Sequence, residues 1–171
     1  MQAAPKPQKL VFKTALIAAM LFSLSAWSAD PVKEIRSDCL VMGDSIAVGV
    51  AQFSACKTLS TGGLSSWRWL DKWGVDLDRV NPSIVLISLG ANDGSDPRSR
   101  KALAAVRSKV RASKVMWLAP SATLAPEPRK WVREVAGQFG DRVFELPQEH
   151  LQKDGIHLSW AGSKLVVRSL L

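Results

Sequence analysis

The chain has 171 residues, 47% of them hydrophobic and 22% charged, with a formal charge of +8 and only two cysteines. That length suits one compact domain. The spacing of the two cysteines matches no zinc ligand set and no other cysteine is available to complete one, and a modest basic excess without a basic-aromatic recognition module argues against a nucleic-acid partner. At the N-terminus Lys6, Lys9 and Lys13 precede an apolar run over residues 14–27. Ala26-Trp27-Ser28 then has the small-x-small form of a signal cleavage site. The run is shorter than the ~20 apolar residues that span a bilayer, so residues 1–28 read as a cleaved signal peptide and residues 29–171 as a periplasmic or secreted domain. Cleavage removes three lysines and no acids, leaving +5.

From Asp38 onward, short β-branched runs alternate with amphipathic stretches, the pattern of a parallel sheet covered by helices. The first strand covers residues 39–42 and runs into Gly43-Asp44-Ser45, where a helix over 45–55 begins. A short strand over 57–60 leads to Gly62-Gly63 and a helix over 66–73. Residues 83–89 (Ser-Ile-Val-Leu-Ile-Ser-Leu) are apolar on both faces, as a central parallel strand should be. That strand ends at Gly90-Ala91-Asn92-Asp93. Asp96-Pro97 caps a helix over 97–112, whose Arg98, Arg100, Lys101, Arg107, Lys109 and Arg111, with Lys114 just beyond, read as one solvated face. A strand over 115–118, a loop over 120–128, a helix over 131–139 stopped by Gly140 and a fifth strand over 143–146 follow. Asp154-Gly155-Ile156-His157 precedes a last helix capped by Ser159. The result is a three-layer α/β/α domain on a five-stranded parallel sheet, and a strand reversal beside the first strand gives the order 2-1-3-4-5. Cys39 and Cys56 open the first two strands; they read either as a disulfide between neighbours, permitted by export, or as two small buried hydrophobes.

The three polar islands supply the parts of an acyl-transfer site. Ser45 stands at a strand-to-helix turn, where a hydroxyl is presented outward and negative charge is favoured. His157 is the base, with Asp154 three residues before it to hold the imidazole tautomer; His150, beside Glu149, reads as a loop histidine. Oxyanion donors are the Ser45 N–H, the Asn92 side-chain amide and a glycine N–H after the second strand, with Gly63 preferred over Gly62. Asp44 and Asp93 read as braces of their own turns. Trp67, Trp69 and Trp73 lie close to the glycine donor; at least one is expected to pack on the sheet, and an exposed one, like Trp160 after His157, offers a stacking surface for a sugar ring.

With Gly43-Asp44-Ser45, Gly63, Gly90-Ala91-Asn92-Asp93 and Asp154-Gly155-Ile156-His157 in that order, the sequence resembles the SGNH (GDSL-type) hydrolases over essentially all of residues 29–171. The resemblance implies a flavodoxin-like fold, a Ser45-His157-Asp154 triad, and an oxyanion hole from Ser45, Gly63 and Asn92, with no metal and no cofactor. Short loops between the blocks imply a shallow site and a short acyl group, acetyl foremost, on a bulky polar carrier; the tryptophans favour a carbohydrate as that carrier, and the whole reads as a monomeric secreted esterase. A lysophospholipase, thioesterase or broad short-chain esterase is the alternative within the class. A noncatalytic glycan-binding module is the alternative outside it.

Overall fold

The computed structural model describes residues 36–145 and 148–171; the expected signal peptide and its cleavage site lie outside them. The elements in chain order are β1 (Arg36–Gly43), α1 (Ser45–Ala51), β2 (Cys56–Ser60), α2 (Ser66–Leu77), β3 (Ile84–Ser88), α3 (Pro97–Lys109), β4 (Lys114–Leu118), α4 (Pro126–Phe139), β5 (Arg142–Phe144) and α5 (Trp160–Leu170), with a 3-10 turn at Gln148–His150. The strands form one parallel sheet in the order β2-β1-β3-β4-β5, as expected from the sequence.

Strand alternation distributes the core over two faces. Leu40, Met42, Val85, Ile87, Val115 and Trp117 point to one face and meet Trp69 and Leu77 of α2, Leu103 and Val106 of α3, and Val132, Val135 and Ala136 of α4. Cys39, Val41, Leu86, Met116 and Leu118 point to the other and meet Ile46, Ala47 and Val50 of α1 and Val166 and Leu170 of α5. Every helix therefore runs back from the carboxyl edge of the sheet, and the loops at that edge carry the polar islands.

Several boundaries differ from the sequence reading. Helix α1 stops at Ala51 because i→i+3 bonds from Phe53 to Val50 and from Ser54 to Ala51 tighten its last turn, returning the chain early enough to start β2 at Cys56. Helix α2 passes through Gly74 to bury Leu77. Helix α3 ends at Lys109, since Val110 turns to an extended conformation. Helix α4 begins inside the expected loop: Pro126 and Pro128 occupy its first turn, where no N–H is needed. Strand β5 is shorter, and Glu145 just beyond it pairs with Arg129 and Arg133.

The basic face of α3 is also corrected. Arg107 is buried, its guanidinium bound to both oxygens of Asp141 (Nε 2.5 Å, Nη2 2.8 Å) and to the Val110 carbonyl (3.0 Å), while Trp117 Nε1 donates to the same carboxylate at 2.9 Å. Arg98, Arg100 and Lys109 are ion-paired with Asp96, Glu134 and Asp78.

Cys39 and Cys56 form a disulfide with a Cα separation of 4.9 Å. Closing a loop across 17 positions stabilises the folded state by about 3 kcal/mol in the chain-entropy picture. The Cys39→Ala/Cys56→Ala double variant should lose that amount in urea unfolding, and dithiothreitol should bring the wild type down to the same midpoint.

Candidate active site

Strand β1 ends on Gly43, which lies so close to β3 that a Cβ there would sit 1.8 Å from the Ser88 carbonyl oxygen. Only glycine fits. The next N–H, that of Asp44, donates to the same carbonyl at 2.9 Å, and Thr61 N–H closes the other side on the Gly43 carbonyl at 3.0 Å. Between these bonds the chain turns sharply, and Ser45 emerges half-buried at the first position of α1.

Asp44 caps α1 through Ile46 N–H at 3.0 Å and also accepts from the Ala91 N–H. Its second oxygen accepts from Asn92 Nδ2 at 3.4 Å. The carboxylate is fully buried. Burial pushes its pKa up to about 7, against the lowering effect of those two N–H groups; the neighbouring Asp93 adds to the rise and His157 opposes it.

His157 comes from the α5 side. Its Nε2 is 2.9 Å from Ser45 Oγ, and its Nδ1 is 2.7 Å from Asp154 Oδ2. The other Asp154 oxygen accepts the N–H groups of Ile156 (2.9 Å) and His157 (3.0 Å). The imidazole hydrogen bond above all, then these two N–H groups, hold the Asp154 carboxyl down at about 2. Side-chain exposures of 40% for His157 and 44% for Asp154 make the site shallow. His150 contributes no ring contact here; its carbonyl accepts Ser159 N–H at 2.8 Å.

Asn92 and Gly63 approach from the α2 and α3 side and line one open depression. Gly62 lies nearer Ser45, its Cβ direction ending 3.6 Å from Ser45 Cβ. What aligns these loops is Asp93. Expected to brace its own turn, it instead accepts Ser66 N–H and Oγ–H, each at 2.6 Å, and so caps α2 from 27 residues away while the helix's own Ser65 makes no side-chain cap bond. The sequence carries no local signal for that pairing. Of the tryptophans, Trp69 is buried and donates to the Leu59 carbonyl, and Trp73 donates to Thr61 Oγ1. Trp67 is half-buried under two guanidinium groups. Trp160 is 75% exposed.

No protein-family model matches the chain, and no characterised protein matches it in sequence. Solved structures do match in fold. A GDSL-like lipase from Bacteroides thetaiotaomicron superposes with a TM-score of 0.59 at 15% identity, covering 78% of this chain and 88% of that one. A lipase/acylhydrolase from Enterococcus faecalis gives 0.55 at 22%, covering 77% and 94%. An acetyl xylan esterase from Geobacillus stearothermophilus gives 0.56 at 16%, covering 80% and 94%. The chain thus has the α/β/α fold of the SGNH (GDSL-type) hydrolases.

The two perturbed carboxylates give opposite pH signatures. Between about pH 4 and 7 the folded chain keeps a proton on Asp44 that the unfolded chain releases, so stability declines as pH rises through that window, by an amount on the order of 4 kcal/mol. The Asp154 contribution is complete above about pH 4 and is lost as pH falls toward 2. Urea unfolding across pH should show Asp44→Asn without the decline below neutrality and Asp154→Asn without the acid loss.

Proposed function

We propose that the chain is an exported serine esterase of the SGNH type, removing short acyl groups, acetyl foremost, from a carbohydrate. The observation that carries this reading is the continuous hydrogen-bonded line Ser45 Oγ, His157 Nε2, His157 Nδ1, Asp154 Oδ2, with Asn92 tied to Asp44, the residue just before Ser45. Ser45 Oγ attacks the ester carbonyl as His157 Nε2 takes its proton. The oxyanion is met by the N–H groups of Ser45 and Gly63 and by the Asn92 amide. His157 then returns the proton to the departing alcohol, leaving an acyl-enzyme. Water, deprotonated by the same imidazole, attacks the acyl carbon and releases the acid and free Ser45. Asp154 stabilises the imidazolium in both half-reactions without taking its proton.

A short acyl group is supported by the shallow, exposed setting of His157 and Asp154. Export is supported by the disulfide; the mass of the N-terminus of protein recovered outside the cytoplasm tests cleavage after residue 28.

Ser45→Ala and His157→Ala should each lower kcat on p-nitrophenyl acetate by roughly 10⁴-fold or more, measured with freshly purified, folded variants. Wild type as inert as Ser45→Ala would return the chain to a noncatalytic role. Asn92→Ala should cost about 10²–10³ in kcat with little change in KM. Across a p-nitrophenyl ester series the rate should drop beyond butyrate; a maximum at octanoate or longer would favour a lysophospholipase or thioesterase.

A further inference from the structure

The depression beside Asn92 and Gly63 holds features that neither the triad nor the oxyanion donors use. It measures about 260 Å³ and is lined also by Ser65, Trp67, Arg68, Asp93, Asp96 and Arg98. Trp67 forms an aromatic platform with the Arg98 guanidinium over its ring at 4.1 Å and that of Arg68 at 5.1 Å. Arg98 is fixed in place: Nε and Nη2 both bind Asp96, at 3.0–3.1 Å and 2.6 Å, and the Trp67 side chain bonds to the same carboxylate.

Charge accounting singles out Arg68. Asp93 is buried and committed to Ser66, and Asp96 is committed to Arg98. Asp71, one turn further along α2, forms no ion pair with Arg68. Arg68 is exposed and, among the described residues, makes no hydrogen bond or ion pair, only the ring contact with Trp67. An unpaired guanidinium in a polar depression suits a hydroxylated carrier that bears an anion. A lipid headgroup would bring an acyl chain as well, and Trp67 is the only large apolar side chain in the lining.

We infer that this depression is the carrier subsite and that it takes a sugar bearing a carboxylate, with Arg68 binding the acid while the Trp67 ring backs the guanidinium. The inference rests on the esterase reading for its position beside the reacting ester, but its test does not. Ser45→Ala, which cannot turn over substrate, should bind oligogalacturonate about three- to fivefold more tightly than xylo-oligosaccharide of equal length at about 50 mM salt, the range of one exposed ion pair. The preference should vanish at about 0.5 M salt. Adding Arg68→Gln should abolish it, and Arg68→Lys should keep most of it. In the active chain, the ratio of kcat/KM for acetylated polygalacturonate over acetylated xylan should follow the same pattern.

Equal affinity for the two oligosaccharides, a preference that survives Arg68→Gln, or an Arg68-dependent preference for anionic lysophospholipid micelles over both would overturn the inference. Preference without hydrolysis of p-nitrophenyl acetate would sink the esterase reading and leave the subsite standing. Hydrolysis without preference would do the reverse.

Discussion

The arrangement at the carboxyl edge of the sheet turns on one buried carboxyl group. Asp44 sits between two loops that would otherwise be independent, accepting from the first turn of α1 and from the Ala91-Asn92 segment after β3. A carboxylate without solvent is costly unless its oxygens are satisfied by donors. Those donors are the groups whose placement sets the distance between Ser45 and Asn92. The desolvation that raises its pKa thus acts in the folded chain as a clamp, because any motion that separates the two loops strips the carboxylate of its partners. Asp93 does the equivalent for the next gap, joining the β3 loop to α2 and, through α2, to the glycines after β2.

Much of this was legible from the residues alone. The both-faces-apolar run at 83–89 placed the central strand, and right-handed crossovers with a reversal beside the first strand suggested the order that the sheet has. The pairing of His157 with Asp154 was readable because the two are local to one turn. What escaped was long-range or energetic. Proline is read as a helix breaker, yet Pro126 and Pro128 lie in a first turn where their missing N–H groups are no loss. Arg107 looked like one more surface charge of α3, and nothing near it in sequence reveals the Asp141 carboxylate 34 positions on. Asp93 reads as a turn residue for the same reason.

Fold likeness at identities of 15–22% fixes the architecture, so the chemistry must be argued from local geometry. That geometry is asymmetric. His157 and Asp154 are substantially exposed, while the groups that hold the Ser45 turn are buried. Positioning is rigid beneath the site, and the face above it is open.

The histidine segment has a construction of its own. Ser159 N–H bonds to the His150 carbonyl, Gln152 N–H to the His157 carbonyl at 2.7 Å, and Gln152 Nε2 to the Leu158 carbonyl, with Leu151 and Leu158 bridged in antiparallel fashion. Gly162 lets α5 press against this ring, a Cβ there falling 2.4 Å from the His150 oxygen. Residues 150–159 are thereby a self-closed cassette that carries imidazole and carboxylate as a pair. Such a unit tolerates sliding or drift of the surrounding scaffold without losing its internal alignment, which suits the proposed base as it serves an attacking hydroxyl, a departing alcohol and an incoming water in turn.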